Sequence, residues 1–348
     1  MGLIKVPNKS ISFYKENLDE VFDSGGLSEG KWNKKISKFI KEFTSSKSAL
    51  ATNSNGAGLV SLMAIYRHYY NRNNVMIQSN TMYGVKVMVI AAGCDNYGFI
   101  NCNIETLMPS VDDVYNSIKN LTKKEKDSLI IMLSHIGGIV NPDIEKISSL
   151  CKKNNIILLE DCAHSFAATH NGKHSGLFGD AGVYSFYATK AIPVGEGGVV
   201  VSNNDEISDM ISDFSIYDRF KQKLELGNNI RISENQALLT YSIITEWKEI
   251  IENKDKIANR YIDLCNENNI LYIDQRNNGR YGNYYKFIIY DKNMYVKKKH
   301  PKIKTFTSPV YDYNIGVKNP VLGFHECLPI WYDQDIELTE SVCNELKI

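Results

Sequence analysis

The residue types that could do chemistry gather in the middle of the chain. An apolar run at 156–159 leads straight into Glu160-Asp161-Cys162-Ala163-His164, two carboxylates and a histidine. A second run at 183–186, containing Ser185, leads to Tyr187-Ala188-Thr189-Lys190. The glycine-rich Gly195-Glu196-Gly197-Gly198 follows, and then a third run at 199–202. Earlier, Ser54-Asn55-Gly56-Ala57 opens a segment with Leu59, Leu62, Met63 and Tyr66 at helical spacing. Each piece alone has an ordinary reading. Asp161 could be a solvated acid at a strand end, Ser185 a strand serine and His164 a satisfied structural histidine. The glycines do not form G-x-G-x-x-G and lie between strands rather than opening a helix, so alone they read as a turn. Their combination and order point to one chemistry. A lysine amine can form a Schiff base, and a carboxylate can keep a pyridine nitrogen protonated so that the ring draws electrons. Hydroxyls and the free amides of a helix N-terminus bind phosphate. Pyridoxal phosphate needs all three, and Lys190, Asp161 and Ser185 with Gly56 and Ala57 supply them.

These residues need a frame, and an open α/β sheet places ligands beyond the carboxyl ends of its strands. Residues 128–134 read as a buried strand. Asn141-Pro142 then offers a cap and a first-turn proline to a helix with Ile144, Ile147 and Cys151 on one face, ending near Asn154. Residues 156–159 form the next strand, so the unit is a right-handed parallel βαβ. Further strands are expected at 75–79, 183–186 and 199–202, while 85–92 fits either helix or strand. The expectation is a three-layer α/β domain with a mostly parallel sheet. Ser233-x-x-Gln236 has capping-box form and opens a long helix towards Leu264. Short Tyr/Ile/Phe-rich runs follow, such as 284–290. We expect a large cofactor domain at 1–245, N-terminal segment included, and a smaller α+β domain at 246–348, with the long helix as the joint.

Residues 160–206, EDCAHSFAATHNGKHSGLFGDAGVYSFYATKAIPVGEGGVVVSNNDE, resemble the core of the DegT/StrS-type sugar aminotransferases, pyridoxal-phosphate enzymes of fold type I. DSGGLSEGKW (23–32), NSNGAGL (53–59), GNNIRISENQALL (227–239), YYKFIIY (284–290) and LPIW (328–331) carry the likeness over most of the chain, diffusely after residue 265. The resemblance implies an aspartate-aminotransferase-like large domain. It implies that Lys190 anchors the cofactor and later shuttles a proton, and that Asp161 pairs with the pyridine nitrogen. His164 would lie near the ring, and Ser185 with the Gly56 and Ala57 amides would hold the phosphate. Met82 stands where an aromatic residue stacks on the ring, with Tyr83 beside it. Asn229 would reach the phosphate of the neighbouring subunit's cofactor, and Arg231 would bind substrate near that shared site, which implies a homodimer with composite sites. The implied reaction moves an amino group, from glutamate, to a keto carbon of a nucleotide-linked deoxysugar, as in polysaccharide or antibiotic sugar biosynthesis. The family's Gly-Thr phosphate turn reads Gly56-Ala57, one hydroxyl fewer, and the substrate loop at 305–313 lacks a histidine often found there.

Two other readings compete. A sugar dehydratase of the same family replaces the lysine with histidine, which Lys190 argues against. A non-catalytic cofactor-binding regulator or scaffold would suit the altered phosphate turn. A nicotinamide enzyme lacks its glycine fingerprint here.

Composition excludes further classes. Among 348 residues, Lys+Arg is 40 and Asp+Glu is 40, so the net charge is zero and general nucleic-acid binding is not expected. Hydrophobic content of 43% and charged content of 23% are those of a globular chain. The longest apolar stretch, 87–94, is far short of the ~20 residues a membrane helix needs. MGLIKVPNKS has no apolar core with a cleavage site, and Val6 stands where a myristoylation signal wants Ser or Thr, so a cytoplasmic location is expected. Seven scattered cysteines with no C-x-x-C pair read as free thiols in a reducing compartment, and no metal is expected.

Overall fold

The computed structural model describes residues 4–217, 222–291, 310 and 324–346. The chain opens with helices α1 (Asn8–Asp23) and α2 (Lys31–Thr44), strand β1 (Ser48–Thr52) and helix α3 (Asn55–Tyr70). Then come β2 (Asn74–Gln78), α4 (Tyr83–Ala91), β3 (Asp95–Ile100), α5 (Val111–Ile118) and α6 (Lys123–Asp127). The central unit is β4 (Leu129–Ser134), α7 (Ile144–Lys153) and β5 (Ile157–Cys162), as the apolar runs require. Two short strands, β6 (Thr169–His170) and β7 (Lys173–His174), precede β8 (Ala181–Ser185), β9 (Gly198–Ser202) and α8 (Asp205–Ile216).

Seven strands form one sheet in the order β1-β9-β8-β5-β4-β2-β3. β8, β5, β4, β2 and β3 run parallel, and β9 is antiparallel to both its neighbours. β4 is buried at all six positions because helices cover both faces. Ile130 and Met132 join a core with α3, α4 and α8, while Leu129, Ile131 and Leu133 join one with α5 and α7. A third core packs α1 and α2 on β1, β8 and β9. The three layers and the mostly parallel sheet match the sequence expectation.

Four local readings need correction. β5 runs on to Cys162, so Glu160 and Asp161 lie within the strand rather than after it. Where the sequence at 85–92 fits either helix or strand, the chain is helical, in α4 as far as Ala91: Val85 and Val89, four apart, point inward, and Gly93 at φ 75° follows the C-cap Ala92. The N-cap position of α7 is Asp143, with no side-chain cap, because Asn141 accepts the Asp143 amide in a turn and delays the helix by two residues. The Ser233 hydroxyl does accept the Gln236 amide, opening α9 (Glu234–Ile244), but the Gln236 side chain donates to the Glu196 carbonyl instead of completing the box. The expected single helix also breaks at Thr245-Glu246, and α10 (Trp247–Glu267) begins after the break.

Beyond α10 come β10 (Leu271–Tyr272), β11 (Arg280–Tyr281), β12 (Phe287–Tyr290), β13 (His325–Leu328) and α11 (Ile336–Leu346). β10, β12 and β13 make an antiparallel sheet, over which Tyr261, Leu264, Phe287, Leu328 and Val342 form a separate core. β11 pairs with β6, joining this part to the first. The segment 305–313 lies outside the described residues, Val310 excepted. Among the described residues no helix is long and apolar enough to cross a membrane, and all seven cysteines are free.

Candidate active site

Parallel register brings the carboxyl ends of the central strands together. Asp161 of β5 sits beside Ser134 of β4 and Val183 of β8. Its carboxylate is buried and accepts three hydrogen bonds: from the Ser134 hydroxyl at 3.0 Å, the Asn55 side-chain amide at 3.2 Å and the Ala163 amide at 3.1 Å. Ser134 is in turn bonded to the Thr81 hydroxyl at 2.8 Å. Since Ser134 gives its proton to Asp161, Thr81 is the donor to Ser134. This shell holds one carboxylate in a fixed direction at the sheet edge.

Asn55 is the first residue of α3, and its side chain also donates to the Val183 carbonyl at 2.7 Å. It therefore ties the helix N-terminus to the carboxylate. The Ser54 hydroxyl caps α3 by accepting the Ala57 amide at 3.1 Å. The Ala57 amide expected to be available is thus engaged, whereas Asn55 and Gly56 have no carbonyl four residues back within the helix. The glycine cluster makes room for this end. A Cβ on Gly198 would fall 2.6 Å from the Asn55 nitrogen, and Gly195 and Gly197 adopt φ of 134° and 139°. The Ser185 hydroxyl is buried at the end of β8 and accepts the Tyr187 amide at 3.3 Å.

Lys190 follows a tight turn, its amide bonded to the Tyr187 carbonyl. Burial pulls its amine down to about 8, against the Asp161 charge, which favours protonation, and with the Lys286 charge, which opposes it. The Lys190 Nζ lies 5.3 Å from the centre of the Tyr285 ring, and the His164 ring packs on the same tyrosine at 4.2 Å. His164 is buried, and burial followed by the Lys190 and Lys286 charges holds its proton affinity well below the ordinary imidazole value. Burial lifts the Tyr285 phenol to about 12 despite a hydrogen bond with Thr189.

The second carboxylate of the sequence motif has another task. Glu160 points to the opposite face and is fully buried. It accepts the Gly176, Phe178 and Gly179 amides at 2.8, 2.7 and 2.6 Å, and His135 Nε2 at 2.8 Å. His135 Nδ1 accepts the Asn141 amide, so Nε2 carries the proton. Cys162 lies within reach of the same two side chains, but both Glu160 oxygens are already filled by donors. The trio is a knot that fixes the 176–179 loop.

Met82 caps α4 and Tyr83 begins it, both partly exposed, directly after Thr81. The Asn229 carbonyl accepts the Asn53 side chain at 3.3 Å, which sets it beside the α3 cap. Arg231 is occupied elsewhere. Its guanidinium donates to the Ser215 carbonyl at 2.6 Å, lies 3.9 Å from Glu29 and covers the Tyr217 ring at 5.1 Å. These contacts hold it at the end of α8.

A sequence profile of the DegT/DnrJ/EryC1/StrS aminotransferase family matches residues 9–306. The chain belongs to this family. A relative, the GDP-perosamine synthase of Escherichia coli O157:H7, is 29% identical over 255 residues, 71% of this chain and 67% of that one. The UDP-4-amino-4,6-dideoxy-N-acetyl-beta-L-altrosamine transaminase of Helicobacter pylori is 25% identical over 261 residues, 73% of this chain and 67% of that one. The chain spans from half to two thirds of the length of the curated relatives it matches first. Among solved structures, PseC of Helicobacter pylori, an aminotransferase involved in the biosynthesis of pseudoaminic acid, superposes with a TM-score of 0.84 at 18% identity, covering 99% of this chain and 96% of that one. The fold is therefore that of the DegT/StrS-type aminotransferases.

Within that family frame, sequence reasoning missed Thr81, Ser134, Tyr285, Lys254 and Lys286, and the tie from Asn55 to Asp161. Ser134 carried a usable signal, because it ends a strand expected to neighbour the Asp161 strand. Asn55 sat inside the quoted phosphate turn. Tyr285, Lys254 and Lys286 come from the C-terminal third and meet the site only through tertiary packing.

Proposed function

We propose that this chain is a pyridoxal-phosphate-dependent aminotransferase that moves an amino group, from glutamate, to a keto carbon of a nucleotide-linked deoxysugar. The observation that carries the reading is one constellation: a lysine amine drawn towards neutrality, a buried carboxylate in its field, and a helix N-terminus bound to that carboxylate through Asn55. The donor set fits the cofactor. Asp161 would face the pyridine nitrogen, and the Asn55 and Gly56 amides at the start of α3 with the Ser185 hydroxyl would face the phosphate. Ala57 would contribute through the helix end rather than through its own amide. When bound, the cofactor supplies an electron-withdrawing ring and a carbon that carries the amino group in transit.

The protein's own groups then do three things. Lys190 holds and releases a proton at Nζ, and an amine near 8 is available in both forms near neutral pH. Asp161 keeps its charge pointed at one spot because Ser134, Asn55 and Ala163 leave it little freedom. His164 stays neutral and, with Tyr285, closes one side of the site, while Met82 or Tyr83 covers the other. The names of the relatives, a GDP-linked and a UDP-linked sugar, support a nucleotide-sugar acceptor. Lys190 favours transamination over the dehydratase alternative.

A homodimer with composite sites belongs to the same proposal. Tyr83, Val87 and Ile90 are exposed at helical spacing along α4, immediately after Met82, and this apolar stripe suits a second copy. Asn229 and Arg231 would serve the neighbour's cofactor and substrate across that contact, Arg231 after leaving Ser215 and Glu29. Residues 1–245 would form the cofactor domain and 246–348 the smaller one, divided at the break between α9 and α10. Seven free thiols suit a reducing cytoplasm. The test is transfer of ¹⁵N from labelled glutamate to a panel of GDP-, UDP- and dTDP-linked keto-sugars, read by mass spectrometry. Labelled amino-sugar should form with the wild type and not with Lys190→Ala. Failure of the protein to take up pyridoxal phosphate would overturn the proposal.

A further inference from the structure

Helix α10 carries a lysine in a row of core residues. Lys254 is 3% exposed and shares its helix with the buried Ile250, Ile251, Ile257 and Ala258. Burying an ammonium is unfavourable unless it is paired, and no carboxylate pairs with Lys254 among the described residues. Its Nζ donates instead to two backbone carbonyls, Ala191 at 3.4 Å and Tyr284 at 3.3 Å. Burial, reinforced by the charge of Lys286, pulls this amine down to about 7. A like charge nearby makes the position worse for a cation. Packing alone would therefore be served better by an apolar side chain.

The two carbonyls explain why a lysine stands there. Ala191 directly follows Lys190, and Tyr284 directly precedes Tyr285, the ring on which the Lys190 amine and the His164 ring lie. These segments come from distant parts of the chain, and the Thr189–Tyr285 hydrogen bond is a second tie between them. We infer that Lys254 is a positioning residue for the reaction at Lys190: from α10 it holds the backbone beside Lys190 and the backbone beside Tyr285 together. It thereby fixes where the reactive amine stands against the wall of the site. The inference rests on the aminotransferase reading above.

The test compares wild type, Lys254→Met, Lys254→Gln and Lys254→Arg as full-length protein loaded with pyridoxal phosphate. Visible circular dichroism reports how the bound cofactor is held, and steady-state kinetics separate kcat from the KM for the amino donor. Lys254→Met should lose most of the dichroic band, and its kcat should fall about 10- to 100-fold, the scale of a small misplacement of reacting groups. The donor KM should change little. Lys254→Arg, which keeps charge and donors, should recover part of both signals, and Lys254→Gln, with a donor but no charge, should fall between. A wild type that binds and turns over normally while Lys254→Met keeps the same dichroism and kcat would overturn this inference alone. A wild type with no cofactor band would overturn the functional reading and this inference with it. If Lys254→Met does not fold, an Arg variant no better than Gln in dichroism would count equally against it.

Discussion

Lys254→Met also changes how stability responds to pH, and the sign is fixed by the structure. In an unfolded chain this lysine titrates at 10.5, while in the native fold burial, then the Lys286 charge, bring it to about 7. Between these values the unfolded chain binds a proton that the native fold has lost. Stability therefore rises with pH across this window, and the penalty is complete below it. The full penalty is about 5 kcal/mol. Between about pH 7 and about pH 9.5 the wild type should gain about 3 kcal/mol that Lys254→Met does not gain. Losing the donor to two buried carbonyls costs the variant about 1–3 kcal/mol each, but that cost is the same at every pH. Groups that titrate alike in both chains cancel in the comparison. The assay is urea unfolding of both cofactor-free proteins across this range, followed by far-ultraviolet circular dichroism. Stability curves that stay parallel to within about 1 kcal/mol would refute the reasoning, because Lys254 would then not be a charge held in a buried place.

Other outcomes follow from the same contacts. Asp161→Asn should lower the transamination rate by about 100-fold or more in single-turnover kinetics, since a neutral amide cannot match a developing charge as the carboxylate does. Glu160→Gln places an amide among three backbone donors and should cost about 3–5 kcal/mol of stability in thermal or urea unfolding, with the 176–179 loop exchanging its amide protons faster. Ser54→Ala removes the α3 cap and should cost about 1 kcal/mol in urea unfolding.

Much of the frame was legible because its strands are buried on both faces. β4 and β5 read as unbroken apolar runs, and their parallel pairing followed from the helix between them. Asp161 and Lys190 stood out because a carboxylate and an amine at successive strand ends have few joint uses. Glu160 was misjudged for a physical reason. Adjacent residues on a strand face opposite ways, and the partners of Glu160 are amides of a loop sixteen to nineteen residues later. The break between α9 and α10 has no glycine or proline to announce it. Nothing in the sequence singles out Lys254, since its two carbonyl partners, Ala191 and Tyr284, are remote along the chain. The same holds for Tyr285, whose ring partner His164 is more than a hundred residues away in sequence.

Three lysines, Lys190, Lys254 and Lys286, gather at this site with amines lowered by burial, and the central claim names one of them. The direct test is borohydride reduction of the protein loaded with pyridoxal phosphate, followed by peptide mass spectrometry. The cofactor mass should be found on Lys190 alone. Attachment to Lys254 or Lys286 instead, or no stable attachment, would contradict the account.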